Sequence, residues 1–445
     1  MYAVDDLVRY AVGLSPGSLP EDVKDVAKRA ILDTLGVCLV GSRSDSGAIL
    51  LKELPFLGNA PGQATVFGTA VKTSPTAAAL VNGTNGHAYD FDDVQREMQG
   101  HPSVGIVPAV LALGEALGVS GETVLAGYVA GVESDVVLGK VMNPGHYARG
   151  WHATCTIGTL GATLAAARVA GLSHEQALRA LGVAGSLACG IQANFGTMTK
   201  PLHAGMTAWN GVFAASLAKL GWTANPGFFE NKVGYLAAFG SQMGASALSG
   251  FVGKEFATRT LQFKKYPSAA ETHPPIEAAL KIWRKHKPDL SQIEEVDCLV
   301  NGLTDQVCAY LVPKEPLEGK FSVPYCVAYA LVHGEVGMKA FMPEGFKDEA
   351  VQALVRKTKK SLAFKEVLPA FGPAEVHVRL RDGTVLVGRE EADKAGPLEW
   401  DDVIVKFRDC AAGVISREAA EKTVSTVRHL ESVKDIRELT ALLAG

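Results

Sequence analysis

The sequence predicts a mainly α-helical protein with a smaller α/β domain inserted before the last fifty or so residues. Apolar residues recur at three- and four-residue spacing over long stretches, which is typical of amphipathic helices. Between about 265 and 396 the pattern changes to charged segments and to alternation of apolar and polar residues, which is typical of strands. At 445 residues, the chain also exceeds the size at which one hydrophobic core usually stops growing. Two domains are therefore expected.

The helical part begins with an amphipathic stretch from Pro20 to Cys38, where Pro20 can occupy the first turn. Five further helical patterns follow, at about 104–117, 122–141, 155–170, 174–189 and 205–220. Ser173 and Gln176 have the spacing of a capping box at the start of the fourth of these. Because Gly and Ala abound in these stretches, the helix axes can approach closely. We expect a tight all-helical domain.

The strand signals lie in the region between about 265 and 396. Residues 293–300 alternate in polarity, and the clearest hairpin signal is the pair 375–380 and 384–387 around Asp382-Gly383. After Pro397 the pattern is helical again, including the closing stretch 417–443. The simplest architecture is a helical domain formed by both chain ends, residues 1–264 and 397–445, with an inserted α/β domain at 265–396.

Composition and charge limit the partners that the protein can have. The hydrophobic fraction of 47% and the charged fraction of 20% are typical of a globular protein with a large core. The net charge of -4 offers no attraction to nucleic acid or to an anionic membrane. No basic leader precedes an apolar run, and the most apolar stretches are interrupted by Pro108, Glu115 or Arg168. We expect no nucleic-acid partner, no membrane and no export.

The cysteines and the glycine-rich segments argue against a metal or a cofactor. Seven widely spaced cysteines form no Cys-x-x-Cys pair, which favours the reduced thiols of a cytoplasmic protein and disfavours a zinc ribbon or an iron–sulfur cluster. Neither a Gly-x-Gly-x-x-Gly after a strand nor a Walker motif is present, so nucleotide cofactors are not expected. Any catalysis is expected to proceed without a cofactor.

The most informative segment runs from Asn82 to Asp93 and is followed by His101-Pro102-Ser103. It places three carboxylates and two imidazoles between glycines. Crowded carboxylates flanked by apolar helices have displaced pKa values, which acid–base chemistry requires. An acid-decorated helix N-terminus or an ordinary turn is the alternative interpretation.

Three further segments combine a cation or an imidazole with glycine, proline or small residues: 149–154, 199–205 and 263–267 with His273 after it. With the acidic segment, they resemble the MmgE/PrpD family, whose members include 2-methylcitrate dehydratase, cis-aconitate decarboxylase and iminodisuccinate epimerase. The resemblance runs from the helix around 31–36 to residues 400–403. It implies an all-helical MmgE/PrpD-type domain, an inserted α/β lid domain and a homodimer.

The resemblance also implies site residues. Removing a proton next to a carboxylate creates a dianionic intermediate that fixed cations stabilise. Lys200 and Lys264 match lysines that line the family's active cleft, although a lone lysine is more often a surface ion pair. His101 and His152 match site histidines that can carry protons near neutral pH. Asp90 matches the site carboxylate, and whether it orients an imidazole or acts as the base stays open.

Three more residues are assigned less directly. Tyr325 matches a lid-side tyrosine, which is expected to donate a hydrogen bond when the lid closes, although a half-buried aromatic at a helix start is an equal alternative. His203 and Lys265 are expected to bind substrate or to support the residues that do.

We therefore expect a cofactor-independent lyase acting on a small di- or tricarboxylate, with 2-methylcitrate-type dehydration first. Epimerisation of an iminodisuccinate-type dicarboxylate and cis-aconitate-type decarboxylation are the alternatives. Val94-Gln95 stand where family members acting on methylcitrate or cis-aconitate have Thr-Trp, which leaves the substrate open. From other classes, a non-catalytic scaffold and a metal-dependent hydrolase remain, the latter with ligands among Asp90, Asp92, Asp93, His101 and His152.

Overall fold

The computed structural model describes residues 2–57, 62–364, 372–391 and 397–445. The chain divides into two compact units. Unit 1 comprises Met1–Ala193, Thr199–Phe263 and Gly396–Gly445, and unit 2 comprises Asn194–Met198 and Lys264–Ala395. The predicted domain bounds stay a prediction. Their second boundary adjoins residues 392–396, which lie outside the described residues.

Unit 1 is built mainly from α-helices. Before residue 264 these are α1 Asp5–Gly13, α2 Glu21–Gly41, α3 Asp45–Glu53, α4 Pro75–His87, α5 Pro102–Leu117, α6 Gly121–Met142, α7 Gly145–Ala148, α8 Ile157–Val169, α9 His174–Leu187, α10 Thr199–Lys219 and α11 Tyr235–Phe239. The helices of unit 2 are α12 His273–His286, α13 Gly302–Val307, α14 Pro316–Gly319, α15 Val323–His333, α16 Pro343–Phe346 and α17 Glu349–Val355. The chain then returns to unit 1 with α18 Trp400–Ala411, α19 Arg417–Arg428 and α20 Arg437–Thr440.

The strands form two sheets. Unit 1 holds the short antiparallel pair β1 Ala64–Thr65 and β2 Lys72–Thr73, so it is mainly but not wholly helical. Unit 2 holds β3 Ile293–Asn301, β4 Thr358–Phe364, β5 Ala374–Leu380 and β6 Val385–Glu390, in the order β4-β3-β5-β6. Strand β4 runs parallel to β3, and the β5–β6 hairpin predicted around Asp382-Gly383 is confirmed. The mainly α fold with a smaller α/β part is therefore confirmed.

Local sequence signals explain several helix ends. The predicted capping box of α9 is present, because the Ser173 hydroxyl accepts from the backbone of Gln176 while the Gln176 side chain accepts from the backbone of Ser173. Helix α10 begins at Thr199, earlier than the predicted start near residue 205. Pro201 lies in its first turn, where a missing backbone N–H costs no intrahelical bond.

The closing stretch 417–443, which was predicted to be helical, consists of α19 followed by shorter helical turns, with a break after Arg428. Its apolar residues Leu430, Val433, Ile436 and Leu439 recur every three residues and are all buried. A period of three matches tight 3₁₀ turns better than the 3.6 of an α-helix. The short turns after Arg428 therefore place these apolar residues in the core.

Helix α4 was not predicted, because Asn82-Gly83-Thr84-Asn85-Gly86 has a low intrinsic helix propensity. Ser74 caps its N-terminus, and Pro75 occupies the first turn. All residues from Ala77 to His87 are buried, so tertiary packing overrides the propensity.

Glycines let α4 approach its neighbours. A Cβ on Gly41 of α2 would lie 1.8 Å from the carbonyl oxygen of Asn85, and a Cβ on Gly205 of α10 would lie 2.4 Å from that of Leu80. Neither position has room for a side chain. Helix α4 is therefore held against α2 and α10 at backbone contact distance.

Among the residues that the structure describes, none of the helices combines the length and the apolar character that a membrane span requires.

The close contact between α2 and α4 can be tested with a matched pair of variants. Gly41→Ala is expected to lower the free energy of unfolding by roughly 1–3 kcal/mol, because the added methyl collides with backbone. Gly13→Ala is the control, since Gly13 also ends a helix and an added methyl meets no group of the described residues within 4 Å. Chemical denaturation of both variants measures the difference. Equal stability would contradict the packing argument.

Candidate active site

The acidic residues lie on the loop that follows α4. Asp90 has a φ of 53°, in the left-handed region that residues other than glycine rarely adopt. Lys406 of α18 holds this loop in place. Its ammonium donates to the Phe91 carbonyl at 2.7 Å and pairs with Asp33 at 2.7 Å. Strained backbone of this kind persists only where the surroundings over-determine it, and it concentrates at functional sites.

Lys200 lies at the centre of the cluster, one residue into α10. Its ammonium donates to Asp90 Oδ1 at 2.8 Å and to His87 Nε2 at 2.8 Å. Only 5% of each of the Lys200 and Asp90 side chains is exposed. The absence of a side chain on Gly205 permits this contact, because it lets α10 approach the helix that ends at His87. A desolvated cation therefore lies between a carboxylate and an imidazole.

His87 is neutral, and its hydrogen bonds define its tautomer. Nδ1 lies 2.8 Å and 2.9 Å from the two oxygens of Asp92, so it carries the proton, and Nε2 accepts from Lys200. Burial, with a further contribution from the Lys200 charge, lowers the pKa of His87 to about 3. Although burial opposes it, interaction with the imidazoles of His87 and His101 holds the pKa of Asp92 well below its ordinary value.

His101 lies at the start of α5 and is only partly buried. Its Nδ1 contacts the Asp93 carbonyl oxygen at 2.8 Å and Asp92 Oδ2 at 3.1 Å. A carbonyl can only accept, so Nδ1 carries a proton in either charge state of the ring. Proton exchange is therefore confined to Nε2, which lies 3.9 Å from Asp90 Oδ1.

His152 and His203 extend the row of imidazoles. Their Nδ1 atoms lie 3.0 Å apart, and the ring of His152 stacks on that of His87 with centroids 5.9 Å apart. Burial, followed by the charge of Lys200, lowers the pKa of His152 well below its ordinary value and that of His203 to about 4. Both rings are therefore neutral near pH 7, and one donates to the other.

Asp93 has a different environment from Asp92. Its carboxyl accepts from the backbone N–H of Ser103 and bonds the Ser103 hydroxyl, which in turn contacts the hydroxyl of Tyr128 at 2.7 Å. Burial, with the charges of Asp33 and Asp92, raises the pKa of Asp93 to about 8. Asp93 is therefore protonated near neutral pH and supports the loop, whereas Asp92 is ionised and holds two imidazoles.

Unit 1 thus brings together five of the residues singled out from sequence. Asp90, His101, His152 and Lys200 form the cluster, and His203 adjoins it through His152. His87 was named in the acidic segment but given no role. The role of His87 was missed because this residue lies in the last turn of α4, a helix that was not predicted. The five-residue spacing between His87 and Asp92 is the only sequence signal for their contact.

The other three assigned residues, Lys264, Lys265 and Tyr325, lie in unit 2. Lys264 is 1% exposed. Lys265 is largely exposed and pairs with Glu277 at 2.6 Å. Tyr325 lies in the first turn of α15, is fully buried, and donates its hydroxyl hydrogen to the Ala340 carbonyl. The roles assigned to these three residues stay predictions.

A metal centre was the alternative chemistry for the acidic segment. Within the described ranges, His87, Asp90, Asp92 and His101 each offer a ligand atom, and these atoms lie within 4.8 Å of one another. The Lys200 ammonium already contacts two of these four groups, His87 and Asp90. A metal ion would have to displace one cation to gain the same ligands. The donor set alone therefore does not require a metal.

Buried carboxylates, neutral imidazoles and a desolvated ammonium on neighbouring helices define an acid–base enzyme of mainly helical fold. Residues 5–247 match the MmgE/PrpD N-terminal domain and residues 266–432 match the MmgE/PrpD C-terminal domain, so the chain belongs to the MmgE/PrpD family.

Curated relatives extend over nearly the whole chain. Human cis-aconitate decarboxylase is 30% identical over 97% of this chain and 92% of its own length. A cis-aconitate decarboxylase-like protein of Aspergillus oryzae is 28% identical over 99% and 97%. Cis-aconitate decarboxylase of Aspergillus terreus is 27% identical over 98% and 95%. The chain is an enzyme, and its family and these relatives are lyases.

The protonation of Asp93 predicts a pH-dependent stability. A carboxyl whose pKa rises from 3.8 to about 8 on folding keeps a proton that the unfolded chain releases. Its contribution to stability is therefore complete below about pH 4 and is lost as the pH rises through about 8. Relative to Asp93→Asn, which cannot ionise, the wild type is expected to lose up to about 1.4 kcal/mol per pH unit in this range.

Urea denaturation of both proteins at a series of pH values measures this difference. Asp402→Asn, at an exposed carboxylate of α18, is the control and is expected to follow the wild type. Parallel curves for the wild type and Asp93→Asn would show that Asp93 is ionised in the folded state.

Proposed function

We propose that this protein is a cofactor-independent lyase that acts on a small tricarboxylate or dicarboxylate and transfers a proton at a carbon next to a carboxylate. The observation that carries the proposal is the Lys200 ammonium, buried between Asp90 and His87 with His101 beside them. Such a cation can stabilise the negative charge that develops on a substrate carboxylate when the neighbouring carbon becomes a carbanion. Burial strengthens this effect, because little water competes.

His101 is the proposed proton carrier. Its Nδ1–H donates to the Asp93 carbonyl, which orients the ring and leaves the exchange of protons to Nε2. It is the least buried of the clustered imidazoles, so a proton can be replaced from solvent between turnovers. His152, whose pKa is held low by burial, would act as a neutral hydrogen-bond partner of the substrate. Asp90 would hold the Lys200 ammonium and the His101 ring in position relative to each other.

The relatives change the order of the candidate reactions. From the sequence alone, dehydration ranked ahead of decarboxylation. Human and fungal relatives that match almost end to end are named cis-aconitate decarboxylases, which favours loss of carbon dioxide from a cis-aconitate-type substrate. Decarboxylation leaves an electron pair on carbon that must be protonated, and dehydration begins with removal of such a proton. The same cation and the same proton carrier serve both reactions.

Other predictions from the family resemblance stay part of this proposal. Lys264 is the proposed second cation for the substrate carboxylates, and Lys265 is the weaker candidate because its side chain is largely exposed whereas that of Lys264 is buried. The Tyr325 hydroxyl would have to leave the Ala340 carbonyl before it could donate to a substrate. The lid role of the α/β domain, the homodimer and the cytoplasmic location likewise remain proposals.

A substrate panel in heavy water tests the function. Purified protein is incubated with cis-aconitate, citrate, 2-methylcitrate and iminodisuccinate, and products are followed by NMR. We expect conversion of cis-aconitate with release of carbon dioxide and incorporation of deuterium at carbon. Loss of water from 2-methylcitrate would assign a dehydratase instead. Deuterium uptake without loss of either group would assign an epimerase, and no conversion in the panel would contradict the proposal.

A chelator arm of the same panel tests the metal alternative, which the grouping of His87, Asp90, Asp92 and His101 favours. Turnover is expected to be unchanged after dialysis against a chelator. Loss of turnover, with recovery on adding back a divalent metal ion, would favour a metal-dependent enzyme. It would contradict the mechanism in which the Lys200 ammonium stabilises the negative charge.

The role of Lys200 can be separated from the general effects of losing a lysine. Lys200→Met keeps the length of the side chain but removes the charge, and it is expected to lower kcat by about 10²–10³-fold. Lys219→Met is the control, since Lys219 ends the same helix at an exposed position, and its kcat is expected to match the wild type. Steady-state kinetics, with circular dichroism to check folding, gives the comparison. Normal kcat in Lys200→Met would remove Lys200 from the mechanism.

A further inference from the structure

Two cysteines that the proposed mechanism does not use lie in contact beside the imidazole row. The Sγ atoms of Cys155 and Cys189 are 3.8 Å apart. All seven cysteines fall within the described residues, and Cys189 alone among them is exposed, while Cys155 is fully buried. The pair therefore combines one thiol that solvent can reach with one that it cannot.

The backbone connects this pair directly to His152. The His152 N–H donates to the Gly190 carbonyl at 3.0 Å, and Trp151 and Ile191 form an antiparallel bridge. The Cys155 N–H in turn donates to the His152 carbonyl at 2.9 Å. Residues 150–152 and 190–192 are thus two paired segments. The two thiols flank the hydrogen bond that fixes the backbone of His152.

The two thiols differ in reactivity. The hydrogen bond from the Cys155 thiol lowers the pKa of Cys189 to about 7, so that a large fraction is thiolate near neutral pH. The same interaction, together with burial, raises the pKa of Cys155. An exposed thiolate beside a protonated, buried thiol is the arrangement of an attacking and a resolving cysteine.

We propose that Cys155 and Cys189 form a reversible disulfide in the presence of peroxide, and that this disulfide switches off the site at His152. The Cys189 thiolate attacks one peroxide oxygen, the O–O bond breaks, and the sulfur becomes a sulfenic acid. The other oxygen leaves as hydroxide and takes up the proton that the Cys189 thiol has released, which gives the first water. The Cys155 sulfur then attacks the Cys189 sulfur, the S–O bond breaks, and the leaving hydroxyl takes the Cys155 proton to form water. Two thiols are oxidised by two electrons, and one peroxide is reduced to two waters.

The disulfide would disturb the site because the residues around the two cysteines are tightly packed. An S–S bond is about 2.05 Å long, so the sulfurs must approach each other from 3.8 Å. Gly190, the residue after Cys189, already lies so close that a Cβ there would be 2.9 Å from Cys155 Cβ and 3.3 Å from His203 Cγ. Pulling Cys189 inward would therefore move Gly190 relative to both His152 and His203.

The test uses the full chain and hydrogen peroxide. Wild type, Cys189→Ser, Cys155→Ala and the buried control Cys410→Ala are treated, digested without reduction and mapped by mass spectrometry. In the wild type and in Cys410→Ala, we expect a peptide pair that links residues 155 and 189 and lacks two hydrogen atoms. Cys155→Ala is expected to stop at a Cys189 sulfenic acid, which dimedone traps, and Cys189→Ser is expected to give neither product.

Hydrogen exchange and turnover test the switch itself. In oxidised wild type, the backbone around residues 150–156 is expected to exchange faster and turnover is expected to fall at least tenfold, with both effects reversed by dithiothreitol. The turnover arm rests on the proposed lyase function, whereas the linked peptide and the exchange rates do not. If the reduced protein has no lyase activity, only that function fails.

Any one of three results would overturn the proposal. The first is the absence of the 155–189 link in peroxide-treated wild type. The second is a linked protein whose exchange around 150–156 is unchanged. The third is a loss of turnover that is equally large in Cys189→Ser.

Discussion

The whole cluster depends on a buried ammonium. Taking the charge of Lys200 out of water costs several kcal/mol, and only close partners compensate. One partner is a carboxylate, Asp90, and the other is a neutral imidazole, His87. These three groups reach one another because α10 and α4 meet at backbone distance, where Gly205 has no side chain. Helix packing thus determines the chemistry, since separation of the helices by the thickness of a methyl group would break the contacts of the ammonium.

The electrostatics of the neighbouring groups follow from this cation. Burial and the charge of Lys200 keep His87, His152 and His203 neutral, so the imidazole row does not add positive charge to a site that already holds an ammonium. Asp92 stays ionised because it accepts from the imidazoles of His87 and His101. Asp93, one residue further, faces Ser103 and stays protonated. The neighbouring carboxyl groups of Asp92 and Asp93 thus differ in protonation, one charged and one neutral, because the two side chains point into different surroundings.

The different protonation of Asp92 and Asp93 could not be predicted from the sequence. Amphipathic periodicity predicted most of the long helices, and the Asp382-Gly383 turn predicted the hairpin. The family resemblance that the ordered motifs carry predicted that Asp90, His101, His152 and Lys200 belong to one site. Periodicity could not predict α4, whose Gly and Asn residues disfavour a helix unless buried neighbours enforce it. Without that helix, there was no reason to place His87 in the site. Its contact with Lys200, 113 residues away, leaves no pattern in the local sequence.

The return of the chain to unit 1 also had no sequence signal beyond renewed helicity, yet it supports the site. Lys406 of α18 holds the Phe91 carbonyl, pairs with Asp33 and lies 3.8 Å from the centre of the Phe91 ring. The segment after unit 2 therefore fixes the loop that carries Asp90, which explains why both ends of the chain belong to the same unit. Two lysines thus hold this loop, one through a backbone carbonyl and one through side chains.

The difference between these two lysines separates support from chemistry. A backbone carbonyl cannot change its charge, so the hydrogen bond from Lys406 to the Phe91 carbonyl does not depend on the protonation of its acceptor. The imidazole that Lys200 contacts can take up a proton, and protonation of His87 at Nε2 would replace a hydrogen bond by repulsion between two cations. Because burial lowers the pKa of His87 to about 3, this imidazole stays neutral near pH 7 and the ammonium keeps the hydrogen bond. Under the proposed function, Lys200 therefore keeps its place while His101 exchanges the proton.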